Sequence, residues 1–206
     1  QLTSAWVWMS IAIRSSVFIG GVQSWGSLAG GVTGNLLLAS PALAIMPALL
    51  MKTAIATEPR IEPATIEDLP QMVELLMALF REEADFAPDR SKQEHGLRLI
   101  LEQPSRGRIF VLRTDHMIIG MINLLFTIST AEGGFVILLE DLIIHPQHRR
   151  QGYGGRLLEH AIAYAKKKDF KRLTLLTDKI SAESQEFFHQ HGFVFSSMIP
   201  MRLVFE

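Results

Sequence analysis

From Arg60 onward, short apolar runs alternate with longer stretches in which apolar residues recur every three to four positions. Short runs bounded by turn residues mark strands, and the longer spacing marks amphipathic helices, so this part of the chain predicts an α/β or α+β domain. Residues 60–63 read as a short edge strand. Thr65-Ile-Glu-Asp68 has the form of a capping box with Asp in the Glu place, and Leu69, Met72, Val73, Leu75, Leu76 and Leu79 follow near helical spacing. The helix they predict ends between Arg81 and Asp85. A weaker helix over residues 91–103 carries Leu97, Leu99 and Ile100, and residues 104–107 punctuate the chain before a strand at 109–112. Thr114-Asp-His116 reads as a turn into a strand over 118–128, and Glu132-Gly-Gly134 as a turn into one over 135–144. Three consecutive antiparallel strands are the economical arrangement.

The run Phe135-Val-Ile-Leu-Leu-Glu-Asp-Leu-Ile-Ile144 is apolar except for Glu140 and Asp141, the pattern of a central strand covered on both faces. Strand side chains alternate, so one carboxylate is expected on each face, with Asp141 turned to the layer opposite Glu140. A charge facing a packed layer costs several kcal/mol unless it is solvated or paired, so each must meet water, a partner or a substrate. After this strand, His145-Pro146 breaks the ladder, Gly152, Gly154 and Gly155 free the backbone, and Leu157, Leu158, Ala161, Ile162 and Ala165 establish a helical period. Strand, glycine-rich loop and helix follow one another. Amides in the first turn of a helix lack intrahelical acceptors and lie at the positive end of the macrodipole, so this loop can cradle a pyrophosphate, with Arg149 and Arg150 adding charge. No Gly-Lys-Ser/Thr is present, and Leu157 takes the place of the third glycine in Gly-x-Gly-x-x-Gly, so neither common nucleotide fingerprint fits. Glycines before a helix also serve in ordinary tight turns.

Composition divides the chain near Met51. The first fifty residues hold one charged side chain, Arg14, and all three tryptophans, whereas acidic residues begin at Glu58. Glycines at positions 20, 21, 26, 30, 31 and 34 interrupt the uncharged stretch, which supports a lipid-spanning helix of about 20 residues poorly. Two readings of residues 1–50 stand open: a secretory signal, from the apolar run and Ala-x-Ala ending of Asn35-Leu-Leu-Leu-Ala-Ser-Pro-Ala-Leu-Ala44, or a non-native or dispensable extension ahead of Met51-Lys52. The domain expected is 51–206. A formal net charge of −1 supplies no basic field for nucleic acid. The absence of cysteine removes disulfides, thiolate nucleophiles and cysteine-based metal sites, so the chemistry must run on oxygen and nitrogen groups, and no metal is expected.

Leu139-Glu-Asp-Leu-Ile-Ile-His-Pro-Gln-His-Arg-Arg-Gln-Gly-Tyr-Gly-Gly-Arg-Leu-Leu158 resembles the central motif of the GNAT acyltransferase superfamily, with the cofactor pattern Gln/Arg-x-x-Gly-x-Gly/Ala spanning residues 149–154. Arg172-Leu-Thr-Leu-Leu-Thr177 reads as the following strand, and Ser184-Gln-Glu-Phe-Phe-His-Gln-His-Gly-Phe193 is similar to the family's closing helix and Gly-Phe signature. The resemblance runs from about Glu58 onward and implies a mixed, mostly antiparallel sheet, splayed at the centre and flanked by helices. It implies acetyl-CoA as cosubstrate, with backbone of Leu142, Ile143 and Ile144 on the pantetheine arm. Arg149, Arg150, Gln151, Gly152, Tyr153, Gly154 and Gly155 would hold the pyrophosphate. Ser181 and Phe188 are carried over as cofactor-binding positions, standing where the family often has an asparagine and a tyrosine. Phe188 has no hydroxyl with which to protonate the departing thiolate, and Ser184 stands where alanine is usual.

In this family the acceptor amine attacks the thioester directly. Glu140 is the candidate base that removes its proton, similar in place to a glutamate of diamine acetyltransferases, while satisfying backbone or arginine groups is the competing role for both carboxylates. The acceptor expected is a small-molecule or peptide amine, with Glu82, Glu83 and Asp85 able to attract a cation. A cytoplasmic enzyme is the leading expectation, with a homodimer possible and nucleic acid and membrane unfavoured as partners. A non-catalytic acyl-CoA-binding or regulatory module and a membrane-tethered interaction protein are the alternatives.

Overall fold

A computed structural model describes residues 58–82, 88–115, 117–177 and 181–205. The apolar extension over 1–50, the Met51 boundary and the acidic residues Glu83 and Asp85 lie outside them. Five strands, β1 (Arg60–Pro63), β2 (Gly107–Arg113), β3 (Ile118–Ser129), β4 (Gly134–Ile144) and β5 (Leu173–Leu175), form one sheet in sequence order. Successive pairs are antiparallel except β4 with β5, which run parallel because a helix crosses over between them. The helices are α1 (Leu69–Glu82), α2 (Arg90–Glu102), α3 (Tyr153–Lys167) and α4 (Ala182–Gln190).

The period-two pattern of the strands sorts their side chains into two cores. Ile109 and Val111 of β2 pack with Met72, Leu76 and Leu79 of α1 and with Leu97 of α2. Phe110 and Leu112, the alternate residues, pack instead with Leu157, Leu158 and Ala161 of α3 and with Phe188 of α4. The sheet is therefore covered on both faces along most of its length, as its near-continuous apolar runs require. A 3-10 turn at Ile66–Asp68 starts the first helical layer, where the Thr65 N–H donates to Asp68 Oδ2 at 2.9 Å. Asp68 is buried and also accepts from Arg113 Nη2 at 2.6 Å, so the cap is tied to the end of β2.

Three details depart from the sequence reading, and each bears on the site. Helix α3 begins at Tyr153, so Gly154 and Gly155 belong to its first turn rather than to the loop before it. Strand β5 is three residues, shorter than the 172–177 expected, and meets only Ile137, Leu138 and Leu139 of β4. Among the described residues the last five of β4 therefore have no neighbour on that side, and the sheet opens between β4 and its edge strand. The third detail is a bulge: Asn123 pairs with Asp141 but Leu124 with Leu139, leaving Glu140 without an opposite residue.

Candidate active site

The bulge changes where the two carboxylates point. Leu139 and Leu142 both belong to the α3-side core, so neither of the two residues between them occupies that face. The alternation that would send Glu140 and Asp141 to opposite faces is broken, and the charge of Glu140 is felt at Asp141. Asp141 lies beside buried Asn123, whose Nδ2 donates to its Oδ2 at 3.1 Å. Loss of water pushes the Asp141 carboxyl up to about 6, the Asn123 bond opposes that, and the neighbouring Glu140 adds to it. Glu140 is exposed as a residue. Partial desolvation nevertheless raises its pKa, offset in part by the charge of Arg202 in the segment after α4. A carboxylate whose pKa is raised toward neutrality is a better proton acceptor, so this end of β4 carries the right chemistry for a general base.

Beyond Ile144 the chain turns through a 3-10 turn at Pro146–His148 and folds back, because Arg149 Nε donates to the carbonyl of Ile144 at 3.1 Å. Arg150 and Gly152 then adopt left-handed φ values of 64° and 78°. Gly152 does so without a Cβ penalty and serves as the N-cap of α3. The first bond of the helical ladder runs from Arg156 N to Gly152 O at 3.1 Å, so the amides of Tyr153, Gly154 and Gly155 precede it and have no intrahelical acceptor. These three residues and one face of α4 line a cleft of about 350 Å³.

One wall of this cleft is Leu142, Ile144, His148, Arg149, Arg150, Gly152, Tyr153, Gly154 and Gly155, and the other is Glu183, Glu186, Phe187 and Gln190. The second set recurs at i, i+3, i+4 and i+7, so a single face of α4 forms it. Arg150 Nη1 pairs with Glu183 across the mouth, and Gln190 Nε2 donates to Glu186 at 3.0 Å. The cleft therefore combines the helix-terminus residues, two arginines on the loop of which Arg150 is paired with Glu183, and apolar surface from Leu142, Ile144 and Phe187. That donor set fits an anionic pyrophosphate continued by an apolar arm. A Cβ at Gly154 would stand 3.6 Å from Phe187 Cζ, ordinary contact, but anything larger would enter the cleft.

Eight of the expected residues are brought together here: Leu142, Ile144, Arg149, Arg150, Gly152, Tyr153, Gly154 and Gly155. Ile143 turns its side chain into the α1-side core. Gln151 is exposed and outside the lining. Ser181 caps α4 by accepting from Ser184 N–H at 3.3 Å, and its Oγ donates to Ser184 Oγ at 2.8 Å. Glu140 lies two residues before Leu142, about 7 Å along the strand, and outside the lining. Phe188 is 3% exposed, packed in the α3-side core and outside the lining, whereas its neighbour Phe187 lines the cleft. His148, Glu183, Glu186, Phe187 and Gln190 were not anticipated. Among the described residues, no group of three or more His, Asp or Glu side chains is placed to hold a metal ion. Nor is any helix there long and apolar enough to cross a membrane.

This arrangement of strand, left-handed loop and helix terminus coincides with a profile of the Acetyltransferase (GNAT) family, which matches residues 69–193. The chain belongs to that family. An uncharacterized N-acetyltransferase of Bacillus subtilis (strain 168), YhfO, is 32% identical over 85 residues, covering 41% of this chain; the chain spans 57% of that relative's length. A possible acetyltransferase from Clostridium difficile 630 superposes with a TM-score of 0.65 at 15% identity, over 71% of this chain and 99% of that one. An aminoglycoside acetyltransferase from an uncultured soil metagenomic sample, solved in complex with sisomicin, superposes at 0.60 and 20% identity, over 72% and 97%. These structural likenesses show the same fold for the described residues.

Proposed function

We propose that this chain is an acyl-CoA-dependent N-acyltransferase that moves acetyl from acetyl-CoA directly to a primary amine of a small molecule or peptide. The observation that carries the proposal is the cleft itself: three helix-terminus amides and the two arginines of the loop at one end, and at the other the end of β4 that, among the described residues, has no partner on the β5 side. Arg150 to Gly155 would hold the pyrophosphate, and the apolar wall of Leu142, Ile144 and Phe187 would line the pantetheine arm. Acetyl-CoA would supply the acyl group already activated as a thioester.

Glu140 would take the proton that the acceptor ammonium must lose before its nitrogen can attack. Its exposure suits a group that meets an incoming acceptor, and its raised pKa keeps it from being too weak a base. The acceptor class includes cationic amines, supported by a carboxylate pair at that end of β4 and by the structural neighbour solved with sisomicin. The proposal places the chain in the cytoplasm, where acyl-CoA is available.

One observation favours a second reading. Phe188 is both buried and without a hydroxyl, so no phenol stands at the position expected to donate to the departing thiolate. A non-catalytic acyl-CoA-binding module would tolerate that loss. Thiol release from acetyl-CoA, measured against a panel of aminoglycosides, polyamines and peptide N-termini, separates the two. Release with at least one amine is expected; binding of acetyl-CoA with no release on any amine would establish the module.

A further inference from the structure

Lys166, Lys167 and Lys168 stand at the end of α3, and Lys171 and Arg172 follow, with Asp169 the one acidic residue among them. Five cations and one carboxylate give this stretch a net +4, in a chain whose formal net charge is −1. The rest of the molecule is therefore net negative. All five cations are exposed. Lys171 pairs with Asp169 at 2.7 Å and Arg172 with Glu132 at 3.3 Å, whereas among the described residues Lys166, Lys167 and Lys168 have no carboxylate partner. Cations in the last turn of a helix complement its macrodipole, but that effect is spent within the turn and gives no reason for the apolar surface beside them.

That surface belongs to the β3–β4 hairpin. On its α3-side face Phe126 opposes Ile137, and both pack into the core. The next pair on the same face, Ile128 and Phe135, reaches past the helix that covers the sheet and is 68% and 56% exposed. Phe170, between the lysines and Lys171, lies with its ring centroid 4.8 Å from that of Phe126 and 6.3 Å from that of Phe135. The Lys171 N–H donates to the carbonyl of Phe135 at 2.9 Å, which fixes the cationic stretch beside the hairpin. Strand β4 runs 11 residues, roughly 35 Å, from this hairpin to Ile144 at the cleft. Charge and exposed apolar side chains thus share the end of the sheet remote from the cleft.

We propose that this end of the domain is a peripheral docking surface for an anionic lipid bilayer. Ile128 and Phe135 would enter the boundary between headgroups and acyl chains, and the lysines beside them would meet lipid phosphates while their aliphatic stems lie against the same boundary. Charge complementarity calls for a polyanion, and the exposed pair decides which. A nucleic acid would use the cations, but the aliphatic side chain of Ile128 has no ring on which a base could stack; a bilayer uses both. Docked in this way, the chain would keep its cleft turned toward the solution.

The test is co-sedimentation of the full chain with vesicles of equal parts phosphatidylglycerol and phosphatidylcholine, and with vesicles of phosphatidylcholine alone. Binding is expected to the anionic vesicles only. It should weaken at least about 10-fold as salt rises from about 0.1 M to about 1 M, where the Debye length contracts from roughly 10 Å to 3 Å. Lys166→Gln/Lys167→Gln/Lys168→Gln should cost about 5-fold per lysine, about 100-fold together, with acetyl-CoA affinity unchanged. Ile128→Ser/Phe135→Ser retains every charge and should still weaken binding at least about 10-fold. Circular dichroism is expected to be the same for all three proteins. Failure of the unmodified chain to bind the anionic vesicles at about 0.1 M salt would overturn the proposal. So would undiminished binding by the glutamine variant, which would place the contact elsewhere in the chain. Vesicle binding that survives in a folded serine variant and is displaced by polyuridylate would overturn it in favour of nucleic acid.

Discussion

Replacing Asp141 by asparagine keeps the side-chain shape and removes its proton equilibrium. The carboxyl is enclosed beside Asn123, and loss of water moves its pKa from an ordinary 3.8 to about 6. The folded state therefore holds this proton more tightly than the unfolded chain does. The group's contribution to stability is unimpaired below the unfolded value, declines as pH rises from about 4 to about 6, and is constant above that. At about 1.4 kcal/mol per pH unit, the gap corresponds to a loss of roughly 3 kcal/mol across the window. Asparagine avoids that loss. Its amide can also donate to Asn123 Oδ1, which is buried without a hydrogen-bond partner. Urea denaturation of both proteins between pH 4 and 8 is the assay, and the difference between them cancels the titration of every group that does not interact with Asp141, leaving only its coupling to Glu140. The two should coincide near pH 4, with the variant about 2–3 kcal/mol more stable at pH 7.5. A variant less stable at pH 7.5, or a difference that does not change with pH, would refute the reasoning.

Glu140→Gln should lower amine acetylation most at low to neutral pH, by roughly 10²-fold, with little change in acetyl-CoA affinity. Turnover unchanged across the pH range would remove Glu140 from the role of base. The two phenylalanines of α4 should separate cleanly. Phe188→Ala is expected to cost about 3–5 kcal/mol in thermal denaturation, because it empties a closed core site. Phe187→Ala should cost much less stability and weaken CoA binding, and the reverse ranking would mean that the helix face lining the cleft has been misassigned.

What could be read from the sequence was set by local pattern. Three strands announced themselves as apolar runs bounded by turn residues, at 109–112, 118–128 and 135–144, and the loop at 149–155 through glycines placed between a strand and a helical period. The bulge at Glu140 could not be read that way, since one extra residue leaves no mark in a run that is apolar on both sides. Phe187 and Phe188 are indistinguishable by type. Their roles depend on the phase of α4, which the burial of Ser184 and Phe188 one turn apart fixes. The true start of α3 was obscured because Gly154 and Gly155, poor helix formers, stand in its first turn. Strand β5 proved short because only Leu173–Leu175 find partners on β4 before the sheet opens.

Calorimetric titration of acetyl-CoA into the unmodified chain, Gly154→Ala and Gly154→Trp tests the central claim most directly. The alanine Cβ would sit at an ordinary 3.6 Å from Phe187, whereas an indole must occupy the cleft between α3 and α4. The account predicts clear binding by the unmodified chain, affinity within a few-fold for Gly154→Ala, and a loss of at least about 100-fold, near 2.7 kcal/mol, for Gly154→Trp with its melting temperature preserved. Equal affinity for a folded Gly154→Trp protein would contradict the assignment of this cleft to the acyl-CoA.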